Sequence, residues 1–159
     1  DQKLLSERAL PVAIEPGSNW QDRPILCAGG RGNLDDVAAA ILAQLLERCG
    51  IGARVASFEA VATATYANLD LGGVQMVCLS YLNPDSIAHA RYAIRRLRRR
   101  TEVPIAVGFW SMDPKDPRCP DLVTATRSDM AATSLGDALA EIVDLVPVTD
   151  ASINRAVGR

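Results

Sequence analysis

This sequence is short of the groups from which most reactive sites are built. Its 159 residues hold one histidine, His89, far in sequence from all four cysteines, Cys27, Cys49, Cys78 and Cys119. No two cysteines form a C-x-x-C pair, so metal-ligand spacing is absent and no metal is expected. Charge of neither sign dominates: the formal net charge is −2, which argues against a nucleic-acid partner, since that needs a basic field. No apolar run reaches the length needed to cross a bilayer, and there is no secretory h-region. Internal repeats and low-complexity segments are also lacking. Free thiols in a reducing cytoplasm are the expectation. The chain begins at Asp1 and not at Met, which reads as a fragment of a longer protein.

What is present fits one domain with tails. Hydrophobic residues at 48% and charged residues at 23% are ordinary for a globular chain able to bury a core. The organising stretch is residues 24–49. Ile25-Leu26-Cys27-Ala28 is too short for a helix and reads as a strand buried on both faces. Gly29-Gly30-Arg31-Gly32 follows as a loop, and Asn33 is the expected N-cap. Asp35 and Asp36 favour the positive end of the helix dipole. Val37, Ile41, Leu45 and Cys49, with Leu34, Ala38 and Leu42, mark a wide apolar helix face, and Gly50 and Gly52 supply the stop.

Further along, 53–58 reads as a less central strand, 59–67 as a short helix weakened by Thr63 and Thr65, and 74–80 as a third strand. Asn83-Pro84-Asp85 opens a helix running to about residue 100 and burying Ile87, Ala90, Ile94 and Leu97. Residues 104–109 form the fourth strand, 111–120 a proline-rich loop, 121–127 a short helix, 130–133 the fifth strand and 135–146 the last helix. Cys27 and Cys78 fall in central strands as small apolar groups. Strands alternating with helices imply an α/β fold with a doubly wound five-stranded parallel sheet, flavodoxin-like, order 2-1-3-4-5. The domain is expected over residues 24–146. Residues 1–23 then form a tether, read either with Trp20 folding back as an anchor or as a partly ordered tail, and 147–159 a tail.

In such a fold ligands bind outside the carboxyl ends of the strands. That rim carries Gly29, Gly30, Arg31, Gly32 and Asn33, then Ser80, Tyr81 and Leu82, then Gly108, Phe109, Trp110 and Ser111. The glycines lack the third position of a dinucleotide fingerprint, and Walker A is absent. An anion could meet Arg31 and the helix N-terminus, against the repulsion of Asp35 and Asp36. No nucleophile–base pair assembles at this rim; Ser80 and Cys119 are the residual nucleophile candidates. His89 reads as a partly exposed helix residue. Arg91, Arg95, Arg96, Arg98, Arg99 and Arg100 form the one dense charge cluster. Its bland reading is a solvated face near a helix C-terminus. Its sharper reading is contact of Arg91, Arg95, Arg98 and Arg99 with anionic lipid or an acidic surface.

The run PILCAGGRGNLDDVAAAILAQLLERCGIGARVASFEAV, with VQMVCLSYLNPDSIAHARYAIRRLRRR and PIAVGFW, resembles the cytosolic C-terminal domain of bacterial AI-2E family (PerM-type) transporters. The plan is similar also to cobalamin-binding domains: Ser80-Tyr81-Leu82 matches their Ser-x-Leu motif and Gly108 their glycine after strand four. Their Asp-x-His-x-x-Gly loop has no counterpart, because residues 29–35 carry no histidine. The first resemblance implies a non-catalytic regulatory domain on the cytoplasmic side of the inner membrane. Its partners would be the membrane-embedded part of its own permease, a small ligand, and in some arrangements a second copy. No cofactor is expected, cobalamin included, for want of the axial histidine. The second resemblance implies the alternative, a cobalamin- or nucleotide-binding module lacking that ligand.

Overall fold

Strands buried on both faces cannot alternate apolar with polar residues, and three segments here do not. β1 (Ile25–Gly29), β3 (Met76–Tyr81) and β4 (Ile105–Phe109) are buried at every position. In the computed structural model, which describes Trp20 and residues 24–147, they form the centre of a five-stranded sheet. β2 (Ala53–Ala56) and β5 (Met130–Ala132) take the edges. All pairings are parallel, in the order β2-β1-β3-β4-β5, as the alternation of elements requires. Val55, on the edge strand β2, is exposed. Apart from Trp20, the expected tether lies outside the described residues, and so does the tail beyond Pro147. Trp20 is half-buried against the core, in keeping with an anchor.

The helices are α1 (Asn33–Arg48), α2 (Phe58–Val61), α3 (Ile87–Leu97), α4 (Leu122–Thr126) and α5 (Leu135–Leu145). They divide the core in two, because successive strand residues point to opposite faces. Cys27, Cys78, Ala106 and Trp110 face α1 and α5. Leu26, Val77, Leu79, Tyr81, Val107 and Phe109 face α3 and α4. Cys27 and Cys78 are paired across β1 and β3, buried and unoxidised. They are packing groups, as expected.

Three expectations are corrected. The N-cap of α1 is Gly32, with no side-chain bond, and Asn33 is its first residue. The helix expected over 59–67 is reduced to the single turn of α2 and a 3-10 turn at Tyr66–Asn68. The buried face of α1 is also rotated: Leu34, Val37 and Ile41 are 69%, 56% and 39% exposed, while Ala38, Ala39, Leu42, Ala43, Leu45, Leu46 and Cys49 are buried. Three alanines let the helix approach the sheet closely, and that proximity outweighs burying three larger residues at the flank.

The two sides of α1 therefore respond differently to truncation. Leu42→Ala should destabilise by about 2–5 kcal/mol, whereas Val37→Ala should shift stability by less than about 0.5 kcal/mol. Chemical denaturation of both variants checks the rotation; equal losses would contradict it.

Candidate functional site

Two adjacent carboxylates build the rim. Asp35 is 7% exposed and accepts from the Arg31 N–H and the Leu82 N–H, each at 2.9 Å. It thus joins the glycine loop after β1 to the chain leaving β3. Asp36 accepts from Ser57 Oγ at 2.9 Å and the Phe58 N–H at 2.7 Å, which fastens the end of β2 to the same helix turn. Asp36 also explains Gly29: a Cβ there would lie 2.0 Å from Asp36 Oδ1. Backbone bonds from Gly30 N–H to Ser80 O and from Trp110 N–H to Tyr81 O, both 3.0 Å, continue the seam across β1, β3 and β4.

The expected rim residues are brought to one end of the sheet, but on two faces. Gly30 is adjacent to Tyr81, whose ring occupies the space a Gly30 Cβ would need, 2.2 Å from that position. Tyr81 is buried, stacks on Phe109 with ring centroids 5.5 Å apart, and its hydroxyl lies 3.0 Å from His89 Nδ1. Burial, and then the nearby Asp35 charge, push the Tyr81 phenol well up, so it stays protonated. His89 is accordingly half-buried and partnered. Burial first, and then Arg31 and Arg96, lower its pKa below the ordinary 6.5.

On the opposite face, Ser80 pairs in register with Gly108. The Trp110 ring lies over that glycine, 2.0 Å from where a Cβ would stand. Ser80 and Trp110 are both buried, and neither Ser80 Oγ nor Trp110 Nε1 has a hydrogen-bond partner. Buried polar atoms without partners are costly and rare. With Trp110 in place, Leu42, Cys78, Gly108, Ala132 and Ala138 help to line a cavity of only about 10 Å3. The indole occupies the space over Gly108 among these residues.

The residual nucleophiles are poorly placed. Ser80 Oγ meets no base. The Cys119 thiol donates to Asp113 O, and burial, then Asp116 and Asp113, raise its pKa away from the thiolate. Among the described residues no cluster of three or more His, Cys, Asp or Glu is arranged to hold a metal. No helix among them is long and apolar enough to cross a membrane.

The fold is shared with a cobalamin-binding protein. The crystal structure of that protein, from Desulfitobacterium hafniense DCB-2, superposes with a TM-score of 0.61 at 15% sequence identity, over 79% of this chain and 60% of its own length. This chain therefore spans about three fifths of that relative, and likeness at such identity concerns the fold. No family model matches the chain, and no curated protein matches it. The resemblance to a transporter domain accordingly gains no support from these comparisons.

The residues fit a corrinoid only in part. The loop after β1 offers Arg31 where cobalt ligation would need an imidazole, and His89 is turned to Tyr81 on the α3 side of the sheet. Axial ligation by histidine does not fit. Beside Gly108, the space that a heterocycle would need is taken by the Trp110 ring.

The arginine cluster is sorted by the structure. Arg98 donates to Val103 O and pairs with Asp129, and Arg100 donates to Tyr66 O and Leu69 O. Arg91 lies 5.6 Å from the centroid of the Tyr92 ring. Arg95 and Arg99 are exposed. Sequence reasoning missed the long-range work of Asp35 and Asp36 and the Tyr81–His89 contact; nothing in their spacing signals either.

Asp35→Ala leaves two backbone N–H groups without their charged acceptor and should cost about 3 kcal/mol, with accelerated amide exchange at Arg31 and Leu82 as the local readout. His89 sets a pH dependence. As pH falls below 6.5 the unfolded chain takes the proton before the folded one, so stability is full above 6.5 and declines on acidification. Thermal melts from pH 8 to 5 should show a smaller acid-side loss in His89→Gln than in the wild type.

Proposed function

We propose that this chain is a non-catalytic recognition domain whose ligand enters the rim through the groove that Trp110 covers. The observation that carries the reading is the unpartnered pair of buried polar atoms, Ser80 Oγ and Trp110 Nε1, beside a glycine that leaves room for a ring. A heterocycle displacing the indole would give Ser80 Oγ a partner and release the Trp110 N–H to solvent. Both changes remove an existing cost. The fold shared with a cobalamin-binding protein supports a corrinoid as the ligand class, held by its nucleotide tail and not by histidine on cobalt. Nucleotides of similar ring chemistry are the second class. A sensing role on a membrane permease would use the same site, with the ligand biasing the contacts of the domain; only the sequence resemblance supports that attachment.

Equilibrium dialysis tests the reading directly. Cobalamin should be retained and cobinamide, which lacks the nucleotide tail, should not. Trp110→Ala, which opens the groove, should raise cobalamin affinity, and Ser80→Ala should lower it by about tenfold. Retention of neither compound by wild type and Trp110→Ala, or equal retention of both, would overturn the corrinoid-tail reading.

A further inference from the structure

A second recess is on the other side of the sheet. Between the α2 segment and α3 lies a cleft of about 700 Å3, walled by Tyr66, His89, Tyr92, Arg95, Arg96 and Arg99. That volume is in the range of small-ligand sites. None of its lining residues is acidic, so the positive charge is not neutralised within the cleft.

The arginines here are not interchangeable with the rest of the cluster. Arg98 and Arg100 are committed to protein acceptors. The side chains of Arg95 and Arg99 make no hydrogen bond or ion pair among the described residues, and both turn to the cleft. Arg96 is half-committed: its Nη2 donates to Val61 O at 3.2 Å, while its Nε is buried with no acceptor. Spacing explains the convergence, since residues three and four apart share a helix face. Two rings border the same space: Tyr92 stands one turn before Arg95 and Arg96 on α3, and Tyr66 faces them from the opposite wall.

We propose that this cleft is a second binding site, for a soluble phosphorylated ligand carrying a flat ring, of the nucleoside polyphosphate class. Guanidinium forks match phosphoryl oxygens two at a time. Tyr92 and Tyr66 offer faces on which a base stacks. The rings of Tyr66 and Tyr92 beside the arginines favour a ligand with a base over a bare headgroup, although a lipid headgroup presents the same phosphoryl chemistry. The site is separate from the groove at Trp110, which opens on the α1 and α5 side of the sheet.

Isothermal titration with ATP and with inorganic phosphate tests the assignment, beside co-sedimentation with phosphatidylglycerol and phosphatidylcholine vesicles. ATP should bind, more weakly as salt rises, and at least about tenfold more tightly than phosphate. Arg95→Gln/Arg99→Gln should weaken ATP by about a hundredfold, with an unchanged melting curve because neither side chain has a partner to lose. Tyr92→Ala should reduce affinity for ATP and not for phosphate. Arg48→Gln, a charge removed from the exposed end of α1, should bind ATP as the wild type does. Absence of ATP binding, or unchanged binding in the double variant, would overturn the proposal. Pelleting with phosphatidylglycerol vesicles that ATP does not compete away would overturn it in favour of a lipid source.

Discussion

A parallel sheet delivers all its strand ends to one edge, and each end leaves backbone groups that the ladder no longer satisfies. Here two carboxylates in the first turn of α1 take up that role. Asp35 accepts from the loops after β1 and β3, and Asp36 accepts from the segment after β2. Their position also suits the positive end of the helix dipole. A buried carboxylate needs full hydrogen bonding to be tolerated, and the N–H groups supplying it are those the rim must fix. The stability of α1 and the shape of the rim are therefore set by one interaction.

The few aromatic residues follow from this arrangement. Of seven in the chain, Tyr81, Phe109 and Trp110 lie at the ends of β3 and β4. Two of them occupy spaces where a glycine has no side chain: Tyr81 against Gly30 and Trp110 against Gly108. The two rings face opposite sides of the sheet and end differently. Tyr81 reaches His89 and is satisfied. Trp110 is enclosed with its indole N–H unpaired. The α3 side of the rim is thus closed by a complete polar contact, and the α1 side by packing alone.

The parallel sheet was legible because buried strands announce themselves as unbroken apolar runs between turn residues, and ILCA, VCLS and IAVGF do so. Edge position was legible in Arg54 and Val55 for the converse reason. The face of α1 was not, since alanine adds little to an apolar pattern, yet Ala38, Ala39 and Ala43 decide how closely the helix packs. The candidate site was legible as an edge and not as contacts. Leu82 and Asp35 are 47 residues apart, and no local spacing reveals such a bond. The arginines read as one cluster because their acceptors are mostly backbone carbonyls, including Val61 O, Tyr66 O and Val103 O, which every residue possesses.

The same bonds limit how the rim can change. Gly30 N–H is held by Ser80 O, Arg31 and Leu82 N–H by Asp35, and Trp110 N–H by Tyr81 O. Ser111 Oγ donates to Leu82 O. Opening any of these loops would break several backbone bonds together, each stronger for being sheltered from water. Rotating the Trp110 side chain breaks no hydrogen bond, because its indole N–H makes none. The cost of that rotation is lost packing against small residues. The rim's backbone is therefore held at each of these loops by hydrogen bonds, while the Trp110 indole is held by packing alone.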